Sequence, residues 1–157
     1  MNYVVEVIKL LKSKNYTISF AESITGGLLA ASLVKYPGVS SIHKGSVITY
    51  SIESKVKILE VSPQTIRENS VISDATSFEM ANGLYKLTNA NISCAITGNA
   101  GPTYDIDTNK LECYLCIRYN ENYFEYHLDY PKTKREAILK KLVKVVYKVI
   151  YNLLKEQ

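Results

Sequence analysis

The stretch FAESITGGLLAASL, residues 20–33, places polar residues and two glycines between an apolar run and a segment of small and apolar residues. We predict a strand that ends at Ala21 and a helix that begins near Thr25, with Ser23 at the bend. N–H groups at a helix start are unpaired and carry partial positive charge, and Gly26 and Gly27 leave space for a ligand. Ser23 is therefore a candidate nucleophile beside an anion-binding helix end, and the alternative is that it only caps the helix.

The bulk properties predict one domain, residues 1–157, with 46% hydrophobic residues. No apolar run approaches the roughly 18 residues of a membrane span. Charges interrupt the apolar residues of the N-terminus, and no small-residue cleavage site follows, so we expect a cytoplasmic protein. The net charge of +4 is spread along the chain and argues against nucleic-acid binding.

Three cysteines include a C-x-x-C pair, Cys113 and Cys116, with Cys94 apart. The pair lies in LECYLCIRY, which is typical of a strand, and residues three apart on a strand point to opposite faces. A second ligand pair is missing. We expect core cysteines rather than a redox or zinc site.

The remaining periodicities predict alternating helices and strands. Helices are predicted at 2–14, 25–34, 51–61, 73–87 and 132–154, and strands at 16–21, 46–50, 92–97, 111–119 and 123–128, the last two as a hairpin around residues 120–122. This order favours a three-layer α/β/α sandwich with a central mixed sheet.

A second polar cluster, TYSIESK at 49–55, lies at a predicted strand-to-helix junction. Lys55 can act as a general base if burial lowers its pKa from about 10.4 toward 7 or 8. The alternatives are a solvated lysine and an ion pair with Glu22 or Glu53. A third cluster, TGNAGP at 97–102, can present backbone N–H groups to an anion.

The segments 21–27, 37–61, 71–83 and 95–102 together resemble the CinA C-terminal domain family, the nicotinamide-nucleotide amidases. The resemblance implies a domain that hydrolyses the carboxamide of nicotinamide mononucleotide to nicotinic acid mononucleotide and ammonia, without metal or cofactor. It implies that Ser23 and Lys55 are the catalytic pair, with Tyr50 beside them. Some relatives carry this domain behind a larger one, and we expect the free-standing form here.

The expected substrate contacts fall into groups along these motifs. Backbone N–H groups of Thr25, Gly26 and Gly27 are expected to hold the oxyanion, and the turn after the third strand is expected to hold the ribose-phosphate. The contacts of that turn are Thr97, Gly98, Ala100 and Gly101, and Ser46 and Arg135 are expected as further substrate contacts.

The sequence also departs from the family pattern. The loop at 103–113 has no glycine, Glu112 stands in a glycine's place, and Leu139 replaces the second of two arginines, the first being Arg135. These departures favour an alternative, a catalytically impaired descendant that acts as a nucleotide-binding or interaction domain. His43 and His127 lie in unrelated segments, so no metal cluster is predicted. The sequence leaves open whether the chain forms a homo-oligomer.

Overall fold

A mixed β-sheet forms the centre of the computed structural model, which describes residues 1–102 and 110–157. Most of the predicted loop at 103–113 therefore lies outside the described residues. The strands of the described part are β1 (Ile18–Glu22), β2 (His43–Ile48), β3 (Ile92–Gly98), β4 (Glu112–Tyr119) and β5 (Asn122–Asp129). Their order is β2-β1-β3-β4-β5, with β1 parallel to β2 and β3, and with β4 antiparallel to β3 and β5.

Helices cover both faces of this sheet. They are α1 (Tyr3–Lys14), α2 (Leu28–Val34), α3 (Ile52–Leu59), α4 (Pro63–Asn69), α5 (Asp74–Thr88) and α6 (Arg135–Glu156). Helices α1, α2 and α6 pack together on one face, and α3 and α4 pack against α5 on the other. The predicted three-layer α/β/α sandwich with a mixed sheet is confirmed.

Alternation along the strands divides the core between the two faces. Phe20 joins the apolar cluster beneath α1, α2 and α6, and the next residue, Ala21, joins the cluster beneath α3, α4 and α5. Cys113 and Cys116 divide in the same way, because three residues along a strand reverse the side-chain direction. All three cysteines are buried and free, as the sequence predicts.

The carboxyl ends of β1 and β2 form a topological switch point. The chain leaves β1 into α2 on one face of the sheet and leaves β2 into α3 on the opposite face. In open α/β sheets, a crevice opens where neighbouring strands send their helices to opposite sides, and ligands bind there. The two polar clusters at 21–27 and 49–55 both lie at this point.

A close contact between α3 and α5 fixes the position of α3 on its face. A methyl group on Gly83 of α5 would overlap the backbone carbonyl of Leu59 at the end of α3. Glycine is therefore required at this crossing, and its missing side chain lets the two helix backbones touch.

Several predicted boundaries are wrong for identifiable reasons. Helix α2 begins at Leu28 rather than Thr25, because Gly26 and Gly27 adopt positive φ angles of 57° and 105°. Strand β2 runs from His43 to Ile48 rather than over 46–50. Helix α4 is absent from the sequence prediction, although Pro63 at its first turn is a helix-start signal, since it buries no residue completely. The remaining ends differ by three residues or fewer.

No helix in the described ranges has the length and hydropathy that a membrane crossing requires. The four lysines at 140, 141, 144 and 148 are exposed on α6, opposite the buried Ile138, Leu142 and Val146. These lysines form the solvated face of an amphipathic helix.

Candidate active site

The switch point brings Ser23 and Lys55 into direct contact. Ser23 follows the last residue of β1, and Lys55 lies in the first turns of α3. The Nζ of Lys55 is 2.9 Å from the Oγ of Ser23 and donates a second hydrogen bond, of 2.7 Å, to the carbonyl of Thr49. Both side chains are buried, with Lys55 only 1% exposed. The two residues, 32 positions apart in sequence, form one hydroxyl–amine pair.

Burial lowers the pKa of Lys55 from 10.5 to about 8. The amine loses hydration and receives two neutral oxygens instead of a carboxylate, so the charged form is poorly compensated. With this pKa, Lys55 is neutral in about a tenth of the protein molecules at pH 7.

Glu22 does not pair with Lys55, in contrast to one of the alternatives from the sequence. Its carboxylate is fully buried and accepts hydrogen bonds from the Thr25 hydroxyl at 2.7 Å and from the N–H groups of Leu29 and Ala30 at 2.8 and 3.1 Å. The acid thus caps the start of α2, where a negative charge is favourable. Glu53, the other possible partner, pairs with the exposed Lys57.

This capping limits which backbone N–H groups near Ser23 remain free. The first turn of α2 is occupied by Glu22, and the N–H of Gly26 donates to the carbonyl of Ser23 at 3.1 Å. Within residues 1–102 and 110–157, the N–H groups of Ile24, Thr25 and Gly27 have no hydrogen-bond acceptor. These three groups are the backbone donors left free between Ser23 and the start of α2.

Tyr50 lies at the rim rather than against the lysine. Its side chain is 61% exposed, and its hydroxyl accepts a hydrogen bond of 2.9 Å from the guanidinium of Arg135. The same guanidinium donates to the carbonyl of Gly101 at 2.6 Å. Arg135 therefore joins the loop after β2 to the turn after β3, and it places a cation between them.

The turn at 97–101 continues the same edge of the sheet. The Thr97 hydroxyl donates to the carbonyl of Val71 at 2.9 Å, and Ala100 is buried. A side chain at Gly98 would collide with Cys113 and with the carbonyl of Glu112, so glycine permits β4 to begin here. Gly101 has a φ of 78°, and its N–H is bound by the side chain of Asn99 at 2.9 Å.

Ser46 does not join the group around Ser23. It lies within β2, where its Oγ accepts from the N–H of Phe20 at 3.2 Å and lies 2.8 Å from Nε2 of His43. These two bonds engage the hydroxyl with the sheet. The substrate contact expected through Ser46 stays a prediction, and the hydroxyl already has partners in β1 and β2.

Comparisons with known proteins identify the family of this chain. The CinA C-terminal domain family matches residues 2–154. A CinA-like protein of Fervidobacterium nodosum is 50% identical over 97 residues, which cover 62% of this chain and 24% of the relative. A competence-damage inducible protein of Clostridium novyi is 38% identical over 139 residues, which cover 85% of this chain and 34% of the relative. The chain thus spans a quarter to a third of these relatives.

Solved structures show the same fold. A CinA superfamily protein from Klebsiella pneumoniae superposes with a TM-score of 0.95 at 26% identity, over 99% of this chain and 97% of that one. A CinA superfamily protein from Escherichia coli superposes with a TM-score of 0.90 at 25% identity, over 98% and 88% of the two chains. Because the family matches nearly every residue and the fold is shared, this chain belongs to the CinA C-terminal domain family.

Proposed function

We propose that the chain is an amide hydrolase that converts nicotinamide mononucleotide to nicotinic acid mononucleotide and ammonia. The observation that carries the proposal is the buried contact between Lys55 and Ser23, together with the lowered pKa of the lysine. A serine hydroxyl needs a base to become a nucleophile, and a buried lysine near neutrality is such a base.

In the first half of the reaction, Ser23 Oγ attacks the carboxamide carbon while neutral Lys55 accepts the hydroxyl proton. The N–H groups of Thr25 and Gly27 stabilise the oxyanion, and removal of one such donor typically costs about 3 to 4 kcal/mol of transition-state stabilisation. The Lys55 ammonium then gives its proton to the departing nitrogen, so that ammonia leaves and an acyl ester remains on Ser23.

In the second half of the reaction, the same lysine activates a water molecule as a general base. Neutral Lys55 accepts a proton from a water molecule as this attacks the ester carbon, and the returned proton restores the Ser23 hydroxyl. The carbonyl of Thr49 holds the amine in place through both halves, because its 2.7 Å hydrogen bond is independent of the serine.

The nucleotide end of the substrate lies, in this proposal, along the turn at 97–101. Arg135 borders that turn through the carbonyl of Gly101 and supplies positive charge for a phosphate. Tyr50 positions this arginine through its hydroxyl, so its role is at the rim and not on the proton of Ser23.

The second candidate is a catalytically impaired domain that binds a nucleotide or a partner protein. The observation that favours it is Glu112, a buried acid beside the turn where the family has a glycine. A negative charge there disfavours a phosphate, whereas the Ser23–Lys55 pair favours catalysis. A measurement of amidase activity distinguishes the two candidate functions.

The test is ammonia release from nicotinamide mononucleotide by the purified chain, with the Ser23→Ala variant as its control. We expect turnover by the wild type, and loss of almost all of it in a folded variant that still binds the nucleotide. EDTA should leave turnover unchanged, because the proposed chemistry uses no metal. Activity within tenfold of wild type in Ser23→Ala would remove the serine from the mechanism, and nucleotide binding without turnover in the wild type would support the impaired domain.

A further inference from the structure

A second polar cluster lies on the β4–β5 hairpin, outside the Ser23–Lys55 pair. Nε2 of His127 is 3.0 Å from a carboxylate oxygen of Glu112 and 3.4 Å from one of Asp129. One ligand atom from each of the three residues lies within 4.8 Å of the other two. The sequence prediction of isolated histidines is therefore wrong for His127, because the hairpin register brings it beside two acids.

Glu112 is the unusual member of this cluster. Its side chain is 3% exposed, and one carboxylate oxygen faces His127. The other oxygen, Oε2, is buried and has no hydrogen-bond partner among residues 1–102 and 110–157. Buried carboxylate oxygens without a partner are costly, so the environment of Glu112 calls for a further positive or donating group.

The register adds a second reason. Glu112 and Asp129 are directly opposite each other in the antiparallel ladder, and His127 is opposite Tyr114. All four therefore lie on the same face of the hairpin. Like charges in direct cross-strand positions repel, and burial of one of them strengthens the repulsion.

We propose that Glu112, His127 and Asp129 bind a divalent transition-metal ion of the zinc type. Such an ion replaces the proton of His127 at Nε2, neutralises the two facing acids and provides a partner for the buried carboxylate. In tetrahedral zinc sites with bonds of about 2.0 to 2.1 Å, neighbouring ligand atoms are about 3.4 Å apart. The distances of 3.0 and 3.4 Å around His127 fit this spacing.

The ligand set favours zinc and similar ions over magnesium. Imidazole nitrogen suits zinc, cobalt and nickel, whereas magnesium selects oxygen ligands and retains its waters. Three protein ligands leave one position of a tetrahedral ion open. His127 and Asp129 are partly exposed, with 39% and 62% of their side chains accessible, so the ion has a route from solvent and room for a water molecule.

The site is separate from the Ser23–Lys55 pair, although Glu112 lies beside the turn proposed for the nucleotide. Strand β3 lies between β1, which ends at Glu22 just before Ser23, and β4, which begins at Glu112. The inference therefore stands or falls by metal binding alone, whatever the result of the amidase assay.

The test is calorimetric titration of chelator-treated, desalted protein with Zn²⁺, in parallel with Mg²⁺. We expect one saturable zinc site, no competing magnesium site, and a higher Tm in excess zinc, because a ligand that binds only the native state stabilises it. Glu112→Gln and His127→Asn should each weaken zinc binding by at least about tenfold.

The matched control is Glu125→Gln, since Glu125 lies on the same face of β5, opposite Cys116, and is not one of the three ligands. This variant should keep the wild-type zinc affinity. His127→Asn alters a partly exposed side chain, so it provides a folded variant even if Glu112→Gln does not. Absence of saturable zinc binding, or wild-type affinity in His127→Asn, would overturn the proposal and leave the cluster as an internal ion pair.

Discussion

Glu22 and Glu112 are both buried acids at the same edge of the sheet, yet their surroundings differ. Glu22 accepts one hydroxyl and two backbone N–H hydrogen bonds, so both of its oxygens are engaged. Glu112 has one oxygen near His127 and one with no partner. The first acid completes a helix start, and the second is available for a ligand. A buried charge is thus informative about function mainly through the atoms that remain unpaired.

Lys55 lies between these two cases. Its two hydrogen-bond partners are neutral oxygens, and in the part of the chain that the structure describes no carboxylate pairs with its amine. Its hydrogen bonds are satisfied, as for Glu22, but its charge is not, and the result is a lowered pKa. The contrast between satisfied hydrogen bonds and an uncompensated charge leads to three tests.

The largest expected effect is on activity, in Lys55→Arg. A guanidinium cannot be deprotonated, so we expect a loss of about 100-fold or more in kcat/KM, the usual contribution of a general base. In the wild type, kcat/KM should rise with pH through an ionisation near 8. The control is Lys57→Arg on the exposed side of the same helix. Substantial activity in Lys55→Arg, or a flat pH profile, would show that Lys55 is a structural cation and another group is the base.

The next effect is on the pH dependence of stability. Because the folded-state pKa of Lys55 is about 8 and the unfolded value is 10.5, the unfolded chain binds more protons between these values. Folding is therefore penalised below pH 8, and the penalty is relieved as the pH rises toward 10.5. The free energy of unfolding of wild type, relative to Lys55→Met, should rise by about 3 kcal/mol over this range.

Denaturant unfolding of both proteins at pH 7 and pH 10 measures this change, and titrations common to the two proteins cancel in the difference. A constant difference between them would mean that Lys55 has an ordinary pKa in the folded protein.

The smallest expected effect is on the free energy of unfolding, and it distinguishes Glu22 from Glu112. Glu22→Gln turns an amide donor toward backbone N–H groups and removes the charge at the start of α2, so we expect a loss of about 2 kcal/mol in the free energy of unfolding. Glu112→Gln removes a charge that faces Asp129, so in the presence of chelator it should cost less than about 1 kcal/mol or stabilise the protein. Denaturant titration of both variants compares them, and equal losses would remove the distinction drawn between the two acids.

Sequence patterns predicted the fold because most of its determinants are local. The predicted hairpin is formed by β4 and β5, and apolar alternation assigned Cys113 and Cys116 to opposite faces. Two glycines at positive φ delayed the start of α2, which a count of apolar residues does not reveal. Helix α4 escaped prediction because it buries no residue completely and so gives little periodic signal.

The site was predictable only where motifs identified it. Ser23 and Lys55 were found through their place after two strands, but the capping role of Glu22 depends on the path of the chain beyond two glycines. The contact between Arg135 and Tyr50 joins residues 85 positions apart, which no spacing rule predicts. The Glu112–His127 contact was accessible in principle, since the pairing of the hairpin from its turn places these side chains on one face.

Because Gly83 has no side chain, α3 packs closely on α5, and this packing sets the distance between the Lys55 amine and Ser23. Helix α3 carries Lys55 one turn before the end that rests on Gly83, so the depth of that crossing determines how far the amine extends toward the serine. A larger residue there would move α3 outward as a unit and alter the spacing of an otherwise intact pair. The distance between Lys55 and Ser23, on which the proposed catalysis relies, is thus expected to depend on how closely α3 and α5 approach at Gly83.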